Sequence, residues 1–256
     1  MVGFILLVVA IIAGIMVYNN YGKGNKHYKL PDNASALLHD HVAFYRNLND
    51  DRKKEFEERV RDFLSRVRIT GVGGVQVEDL DRLLVASGAI IPIFSFPGWR
   101  YNNINEVLLY KDTFNDSYKV EGGDRNILGM VGEGAMQRQM ILSQPSLRSS
   151  FNNSSDGHNT AIHEFVHLLD KADGAIDGVP EYLLSRPYIV PWVKQIHQTI
   201  QEMKKGQDKD INFYGATNDA EFFAVISEYF FERPDKLKEH HPELYALLEK
   251  IFHPAS

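Results

Sequence analysis

The spacing of hydrophobic positions changes along the chain, and each spacing predicts a different kind of element. Residues 2–18 form a continuous apolar run without a charged side chain. Apolar residues then recur at helical spacing over residues 33–48, 50–67 and 77–91, and Pro92 is expected to end the third segment. The pattern therefore predicts an apolar N-terminal helix followed by amphipathic helices.

Shorter apolar runs farther along the chain have the length of strands. Residues 107–110 and 139–142 are predicted to form β-strands, and the second strand offers a candidate edge for an extended peptide. Residues 112–134 are polar and rich in glycine, which predicts surface loops. The C-terminal part is mostly helical, with breaks at 174–191 and 206–215. We therefore expect one α+β domain without internal repeats.

The N-terminal apolar run predicts a membrane anchor. As a helix, its 17 residues rise about 25 Å, close to the roughly 30 Å hydrocarbon core of a bilayer. A signal peptide and a buried core helix are the alternatives, but no basic side chain precedes the run and no cleavage site closely follows it. Lys23, Lys26 and Lys29 follow the run and favour the cytoplasmic side for the following domain. The predicted division is a single-pass membrane anchor at residues 1–21, a tether at 22–32 and one domain at 33–256.

Composition narrows the classes of function. The 256 residues include 28 basic and 34 acidic side chains, which give a formal charge of −6. This balance lacks the basic excess of proteins that bind nucleic-acid phosphates, so we expect no direct nucleic-acid partner. The chain has no cysteine, which excludes disulfides, thiolate metal sites and cysteine nucleophiles. A metal ion must therefore be bound by histidine, aspartate or glutamate.

The segment TAIHEFVHLLD at residues 160–170 contains the strongest chemical signal. His163 and His167 are four positions apart, so on a helix their imidazoles lie on one face and can bind one zinc ion. Glu164 can take a proton from a zinc-activated water, which is the general-base role in the His-Glu-x-x-His helix of metalloproteases. The neighbouring apolar residues predict a buried helix, where these polar groups need a partner. The motif therefore predicts a zinc-dependent peptidase.

A catalytic zinc needs a third protein ligand, and the residues leave several candidates. Asp173 would complete a metzincin-like arrangement, but Asp170 stands where that pattern has glycine. Asp170 itself is better placed to accept a hydrogen bond from a ligand imidazole. Glu221 lies in the first turn of an apolar predicted helix, where a buried carboxylate needs an electrostatic partner such as zinc. Glu228, on the same face, is a ligand, a hydrogen-bond partner of a ligand, or half of a salt bridge.

Taken together, the segments His163–Asp170 and Tyr214–Phe231 resemble the family of Mlc titration factor A, zinc-dependent peptidases related to the catalytic domain of anthrax lethal factor. The similarity extends over residues 33–254. Further matching pieces are Gly132–Gly134, Leu142–Ser143, Asp156–Gly157, Asp173–Gly174, Gly178–Pro180, Phe231–Pro234 and Leu244–Tyr245. The resemblance implies a mostly helical, zincin-like domain with a small sheet and one zinc ion. It also implies that Glu221 is the third ligand and that Tyr214 assists catalysis.

The expected function is hydrolysis of peptide bonds in a peptide or protein substrate. The family name also implies a transcriptional repressor as a partner, so the alternative is a membrane-tethered protein that sequesters a transcriptional regulator and in which peptidase activity is secondary. Glu164 argues against a purely binding role, because zinc can be held without a general base. A third hypothesis is a quality-control protease that acts near the membrane surface through the three lysines.

Overall fold

The structure, a computed structural model, describes residues 28–111, 129–131, 138–152 and 157–253. The predicted anchor at residues 1–21 lies outside these residues, as does the tether up to residue 27. Within the described ranges, no helix has both the length and the apolar character needed to cross a membrane.

The described residues are mostly helical and contain one small sheet. The helices are α1 (Ala34–His41), α2 (Ala43–Arg46), α3 (Asp50–Arg66), α4 (Asp79–Ile93), α5 (Gln144–Asn152), α6 (Thr160–Asp170), α7 (Arg186–Lys204), α8 (Asp219–Glu232), α9 (Pro234–His240) and α10 (Pro242–Phe252). The strands are β1 (Arg68–Gly71), β2 (Glu106–Tyr110), β3 (Gly129–Val131) and β4 (Gln139–Ser143), and 3-10 turns form at Lys171–Asp173 and Phe213–Ala216. This content confirms the predicted α+β class.

The sheet has the strand order β1-β2-β4-β3. Strands β1, β2 and β4 are parallel, and β3 pairs with β4 in the antiparallel direction. In this register Val107 of β2 lies between Ile69 of β1 and Met140 of β4. Because β4 is paired on both sides, the prediction that residues 139–142 offer a free edge to a peptide is wrong. The outer strand at that end of the sheet is β3.

Most predicted helices are present, with differences at their ends. The segment 33–48 is two helices rather than one, because Val42 adopts an extended conformation between α1 and α2. Helix α3 matches the prediction closely, and the Asn49 side chain caps it by accepting a hydrogen bond from the Arg52 amide at 3.0 Å. Pro92 lies inside the last turn of α4 instead of ending the helix before it. Its lost hydrogen bond is offset by the burial of the surrounding apolar turn.

The C-terminal breaks and three short elements also differ from the predictions. Helix α7 already begins at Arg186 and includes Pro191, so the predicted break at 174–191 is shorter than expected. Strand β3 lies within residues 112–134, which were expected to be loops. Strand β1 and helix α5 are not predicted by the pattern at all. Strands of three or four residues depend on pairing with their neighbours, which a local pattern does not reveal.

Helix α6, which carries the His-Glu-x-x-His motif, lies at the centre of the helical layer. It contacts α4 and α8, and it also approaches β3 and β4. A side chain at Gly88 of α4 would place its Cβ only 2.5 Å from the Cβ of Ala161, so glycine permits this close approach. On the buried side, Phe165 packs against Phe63 and Tyr101 with ring centroids 5.6 and 5.2 Å apart. These contacts fix the position of the motif.

Candidate metal centre

The start of α6 determines how the two histidines are presented. The Asn159 side chain caps the helix by accepting a hydrogen bond from the Ile162 amide at 3.1 Å. His163 and His167 follow one turn apart, and each keeps 13% of its side chain exposed. The opposite face is fully packed, with Phe165 at 0% exposure. The helix therefore directs both imidazoles toward the same partly open side.

His163, His167 and Glu221 converge on one point. Their ligand atoms form a triangle: the two histidine Nε2 atoms are 3.2 Å apart, and Glu221 Oε2 lies 3.1 Å from His163 Nε2 and 3.4 Å from His167 Nε2. Tetrahedral coordination with bonds of about 2.0–2.1 Å separates ligand atoms by roughly 3.3–3.4 Å. Among the described residues, these three form the group of histidine and acidic side chains that converges closely enough to hold a metal ion. The donor set therefore fits a metal ion.

Glu221 reaches the histidines because two contacts fix the first turn of α8. The Asn218 side chain caps α8 by accepting a hydrogen bond from the Glu221 amide at 2.9 Å. Gly178, with φ of +78°, lies so close to this turn that a Cβ there would be 2.4 Å from the Asp219 carbonyl oxygen. Burial would raise the pKa of Glu221, but hydrogen bonds with His163 and His167 outweigh it and hold the pKa far below its usual range.

Glu228 orients one of the imidazoles. Its Oε1 atom lies 2.7 Å from His163 Nδ1, and its Oε2 atom accepts a hydrogen bond from the Asn159 amide at 2.6 Å. Because Nδ1 is engaged by the carboxylate, Nε2 of His163 remains directed at the cluster. Burial alone would lower the pKa of His163, but the charge of Glu228 and the hydrogen bond to Glu221 outweigh burial and raise it. The sequence left three roles open for Glu228: metal ligand, hydrogen-bond partner of a ligand, or half of a salt bridge. Its contacts match the hydrogen-bond partner.

Glu164 and Tyr214 approach the cluster from α6 and from the 3-10 turn at Phe213–Ala216. The side chain of Glu164 is buried at 5% exposure. Burial raises its pKa, and the two histidines partly oppose that shift. Tyr214 is 54% exposed, and its ring centroid lies 6.0 Å from that of His163. Partial burial and the charges of Glu221 and Glu164 raise the pKa of Tyr214 to about 12, so its phenol is a neutral donor at pH 7.

Asp170 and Asp173, the two aspartates that were candidates for the third metal ligand, bind the loop after α6 and do not join the cluster of His163, His167 and Glu221. Asp170 accepts a hydrogen bond from the Gly178 amide at 2.8 Å, and burial raises its pKa to about 6. Asp173 accepts hydrogen bonds from the Ala175 and Glu181 amides at 3.1 and 3.2 Å. The expectation that Asp170 accepts a hydrogen bond from a ligand imidazole is therefore wrong: its Oδ2 atom binds the Gly178 amide, and its Oδ1 atom has no hydrogen-bond partner among the described residues.

Sequence reasoning missed the role of Asn159. Its side chain caps α6 and donates to Glu232 at 3.0 Å, while its amide donates to Glu228. The capping role has a sequence signal, since asparagine directly precedes the predicted helix. The contacts with α8 have no such signal, because they join residues about 70 positions apart.

Comparison with known proteins agrees with this geometry. A family model described as glucose-regulated metallo-peptidase M90 matches residues 19–253. The chain belongs to this family of metallopeptidases. An uncharacterised protein of Synechocystis sp. is 31% identical over 234 residues, which cover 87% of this chain and 84% of the relative. The Mlc titration factor A of Pectobacterium atrosepticum is 28% identical over 220 residues, and that of Edwardsiella ictaluri is 27% identical over 221 residues.

These two Mlc titration factors are covered over 80% and 81% of their lengths, and each match covers 80% of this chain. The alignments therefore cover most of this chain and are not confined to the His-Glu-x-x-His helix. The predicted family membership is confirmed, and the His163, His167 and Glu221 cluster fits the metal ion that the family description names.

Proposed function

We propose that this protein is a zinc-dependent peptidase that hydrolyses peptide bonds. The observation that carries the proposal is the convergence of His163, His167 and Glu221 beside Glu164 and Tyr214 in a member of a metallopeptidase family. Two imidazole nitrogens and one carboxylate oxygen leave a fourth tetrahedral position open, as in catalytic zinc sites. When bound, zinc would supply a Lewis acid that lowers the pKa of a water molecule and polarises the peptide carbonyl.

Each neighbouring side chain then has a defined role. Glu164 accepts the proton of the attacking water and later delivers it to the leaving amine, which its position beside His163 allows. Tyr214 donates a hydrogen bond to the carbonyl oxygen as negative charge develops on it. Glu228 holds His163 in the tautomer whose Nε2 atom is free for the metal. The substrate is a peptide or protein.

Replacement of Glu164 by glutamine tests the proposal. The amide retains the shape of the side chain but cannot accept the proton, so hydrolysis of a fluorogenic peptide library should fall by about 10²–10⁴-fold. The zinc content, measured by plasma mass spectrometry after reconstitution, should stay near one ion per chain. Glu239→Gln, on the exposed surface of α9, is the matched control and should keep full activity. Near-normal turnover by the Glu164→Gln variant would show that the mechanism is wrong.

A second candidate function comes from the names of the relatives. Several are called Mlc titration factor A, so we also propose that this chain binds a transcriptional regulator. The Glu164→Gln variant separates the two functions, because it should still bind purified Mlc if binding does not require hydrolysis. Calorimetry with the wild type and this variant measures the affinity directly. If neither binds Mlc while the wild type hydrolyses peptides, only the peptidase proposal stands.

The location of the protein is a separate proposal based on the sequence. We propose that the apolar residues 2–18 anchor the chain in a membrane with the catalytic domain on the cytoplasmic side. Full-length protein should fractionate with membranes, and deletion of residues 1–27 should release it. Protease digestion of sealed spheroplasts should leave the domain intact, and digestion of the domain there would reverse the proposed orientation.

A further inference from the structure

A cavity of about 640 Å³ lies next to the chain segment that carries Tyr214. Asn212 and Phe213, which directly precede Tyr214, line one wall of the cavity, and His158 lines another. Asn212 Nδ2 and His158 Nδ1 are 3.4 Å apart, so these walls meet. His158 also directly precedes Asn159, whose amide binds Glu228. The cavity and the metal centre are therefore built from the same two chain segments.

Basic side chains outnumber acidic ones around this cavity. The basic residues that line it are Lys204, Lys209, Arg233 and Lys236, and the acidic residues are Asp208 and Asp210. Lys236 pairs with Asp210, which also accepts a hydrogen bond from the Tyr229 hydroxyl at 2.5 Å. Asp208 accepts hydrogen bonds from the amides of Asp210 and Ile211 at 2.9 and 3.3 Å. Both acidic groups are thus engaged within the protein.

Lys204 and Lys209 differ from Lys236, which pairs with Asp210. Lys204 is the last residue of α7, Lys209 lies in the following loop, and both side chains are exposed. Within the part of the chain that the structure describes, neither has an ion-pair partner. Two ammonium groups therefore remain at the cavity without an ion-pair partner among these residues, and either can attract an anion that enters it.

We propose that this cavity is a substrate subsite that binds a carboxylate group of the peptide through Lys204 and Lys209. The carboxylate comes either from an acidic side chain or from the free C-terminus of the substrate. The proposal rests on the proposed peptidase function, because the peptide bond to be cleaved must lie at the metal centre. Because Asn212 and Phe213 line the cavity and directly precede Tyr214, a peptide that contacts Tyr214 lies next to one wall of the cavity.

The test uses matched peptides. One set carries glutamate or glutamine at each of three positions on both sides of the cleaved bond, and a second set ends in a free carboxylate or in an amide. Hydrolysis by the full-length wild type gives kcat and KM, and fluorescence anisotropy with the Glu164→Gln variant gives Kd without turnover. We expect KM and Kd to be about fivefold lower for one carboxylate peptide, with kcat unchanged and the preference weaker at high salt.

Charge reversal assigns the preference to the two lysines. The double variant Lys204→Glu/Lys209→Glu should reverse the preference, and the milder Lys204→Gln/Lys209→Gln should abolish it while retaining hydrolysis of the neutral peptides. Lys194→Glu/Lys205→Glu is the matched control, because both lysines are exposed and neither lines the cavity. This control changes the net charge by the same amount and should keep the wild-type preference.

The outcomes separate the subsite from the peptidase function. Hydrolysis of all peptides without a carboxylate preference, or a preference that survives both lysine variants, would overturn the subsite and leave the peptidase function standing. If no peptide is hydrolysed but the lysine-dependent preference persists in Kd, the peptidase function fails and a carboxylate-binding cavity remains. A preference seen only with the free C-terminus assigns the carboxylate to the end of the substrate, and one seen only with glutamate assigns it to a side chain.

Discussion

Helix α8 contributes to two carboxylate–histidine clusters that differ in how their charge is balanced. In the metal centre, Glu221 and Glu228 of α8 contact His163, and the buried Glu164 adds a third carboxylate. In the second cluster, which we call the Asp210 cluster, Asp210 contacts Tyr229 of α8 together with Lys236, His240 and His241.

The Asp210 cluster contains its own cation. Burial would raise the pKa of Asp210, but hydrogen bonds from Lys236 and Tyr229 outweigh it and hold the pKa far below its usual range. In the metal centre, by contrast, neither Glu221 nor Glu228 has a lysine or arginine within ion-pair distance among the described residues. Two buried carboxylates and the partly exposed Glu221 beside two imidazoles therefore favour an external cation, whereas an aspartate beside a lysine does not need one. Charge balance distinguishes a metal centre from a structural ion pair.

The largest expected effect is the loss of metal from the first cluster. His163→Ala removes one of three ligands, and Glu221→Gln replaces an anionic ligand by a weakly binding amide oxygen, so stoichiometric zinc should be lost after dialysis. His240→Ala removes an imidazole from the Asp210 cluster and should leave the zinc content unchanged. Plasma mass spectrometry measures the metal, and circular dichroism checks the fold. If only the His240→Ala variant lost zinc, the metal would be bound at the Asp210 cluster and not at His163 and Glu221.

Tyr214 should affect catalysis, whereas Tyr229 should affect the stability of the fold. Tyr214→Phe removes a neutral donor at the metal centre, so kcat/KM should fall by about 10²–10³-fold with zinc content and stability unchanged. Tyr229→Phe removes the hydroxyl that bonds Asp210, so it should lower the free energy of unfolding by about 1–2 kcal/mol without loss of zinc. Steady-state kinetics and urea unfolding of both variants measure these effects. If both variants lost kcat/KM to the same extent, Tyr214 would have no specific role in catalysis.

Glu228 should have an intermediate effect on metal binding. Glu228→Gln weakens the group that orients His163 without removing a donor to the metal, so zinc affinity or activity should fall by about 10–100-fold. Asp173→Asn is the matched control, because Asp173 bonds only loop amides, and its zinc affinity should stay close to that of the wild type. Competitive titration with a chelator compares the two variants. A larger loss in Asp173→Asn would favour the metzincin-like arrangement instead.

The last prediction concerns the contribution of the Asp210 cluster to stability. Asp210→Asn removes the charge that faces Lys236, and the free energy of unfolding at pH 7 should fall by about 2 kcal/mol. Because folding lowers the pKa of Asp210, its contribution is fully present above the unfolded pKa of about 4 and is lost progressively as the pH falls from there through the lower folded-state pKa. The difference between wild type and variant should therefore shrink steadily below about pH 4 in urea unfolding with zinc chelated. A constant difference down to low pH would contradict this.

Much of the fold and of the candidate site could be predicted from the chain alone. The helical spacing in residues 50–67 predicts α3 nearly to its ends, because one face of that helix is buried and the other is solvated. The four-residue spacing of His163 and His167 is sufficient to place both imidazoles on one face. Strands β1 and β3 were not predictable in this way, since their stability comes from pairing with β2 and β4.

The sequence by itself determined which residue types could bind a metal and that two of them share a helix face, because both properties depend on local chemistry and helical periodicity. Residue chemistry and family resemblance favoured Glu221 as the third donor, but it lies 58 positions from His163. Only the packing of α8 against α6, with Gly178 allowing a close approach to the first turn of α8, brought Glu221 to the histidines and separated Asp170 and Asp173 from them. The tertiary structure decided this selection because ligand distances depend on how helices pack.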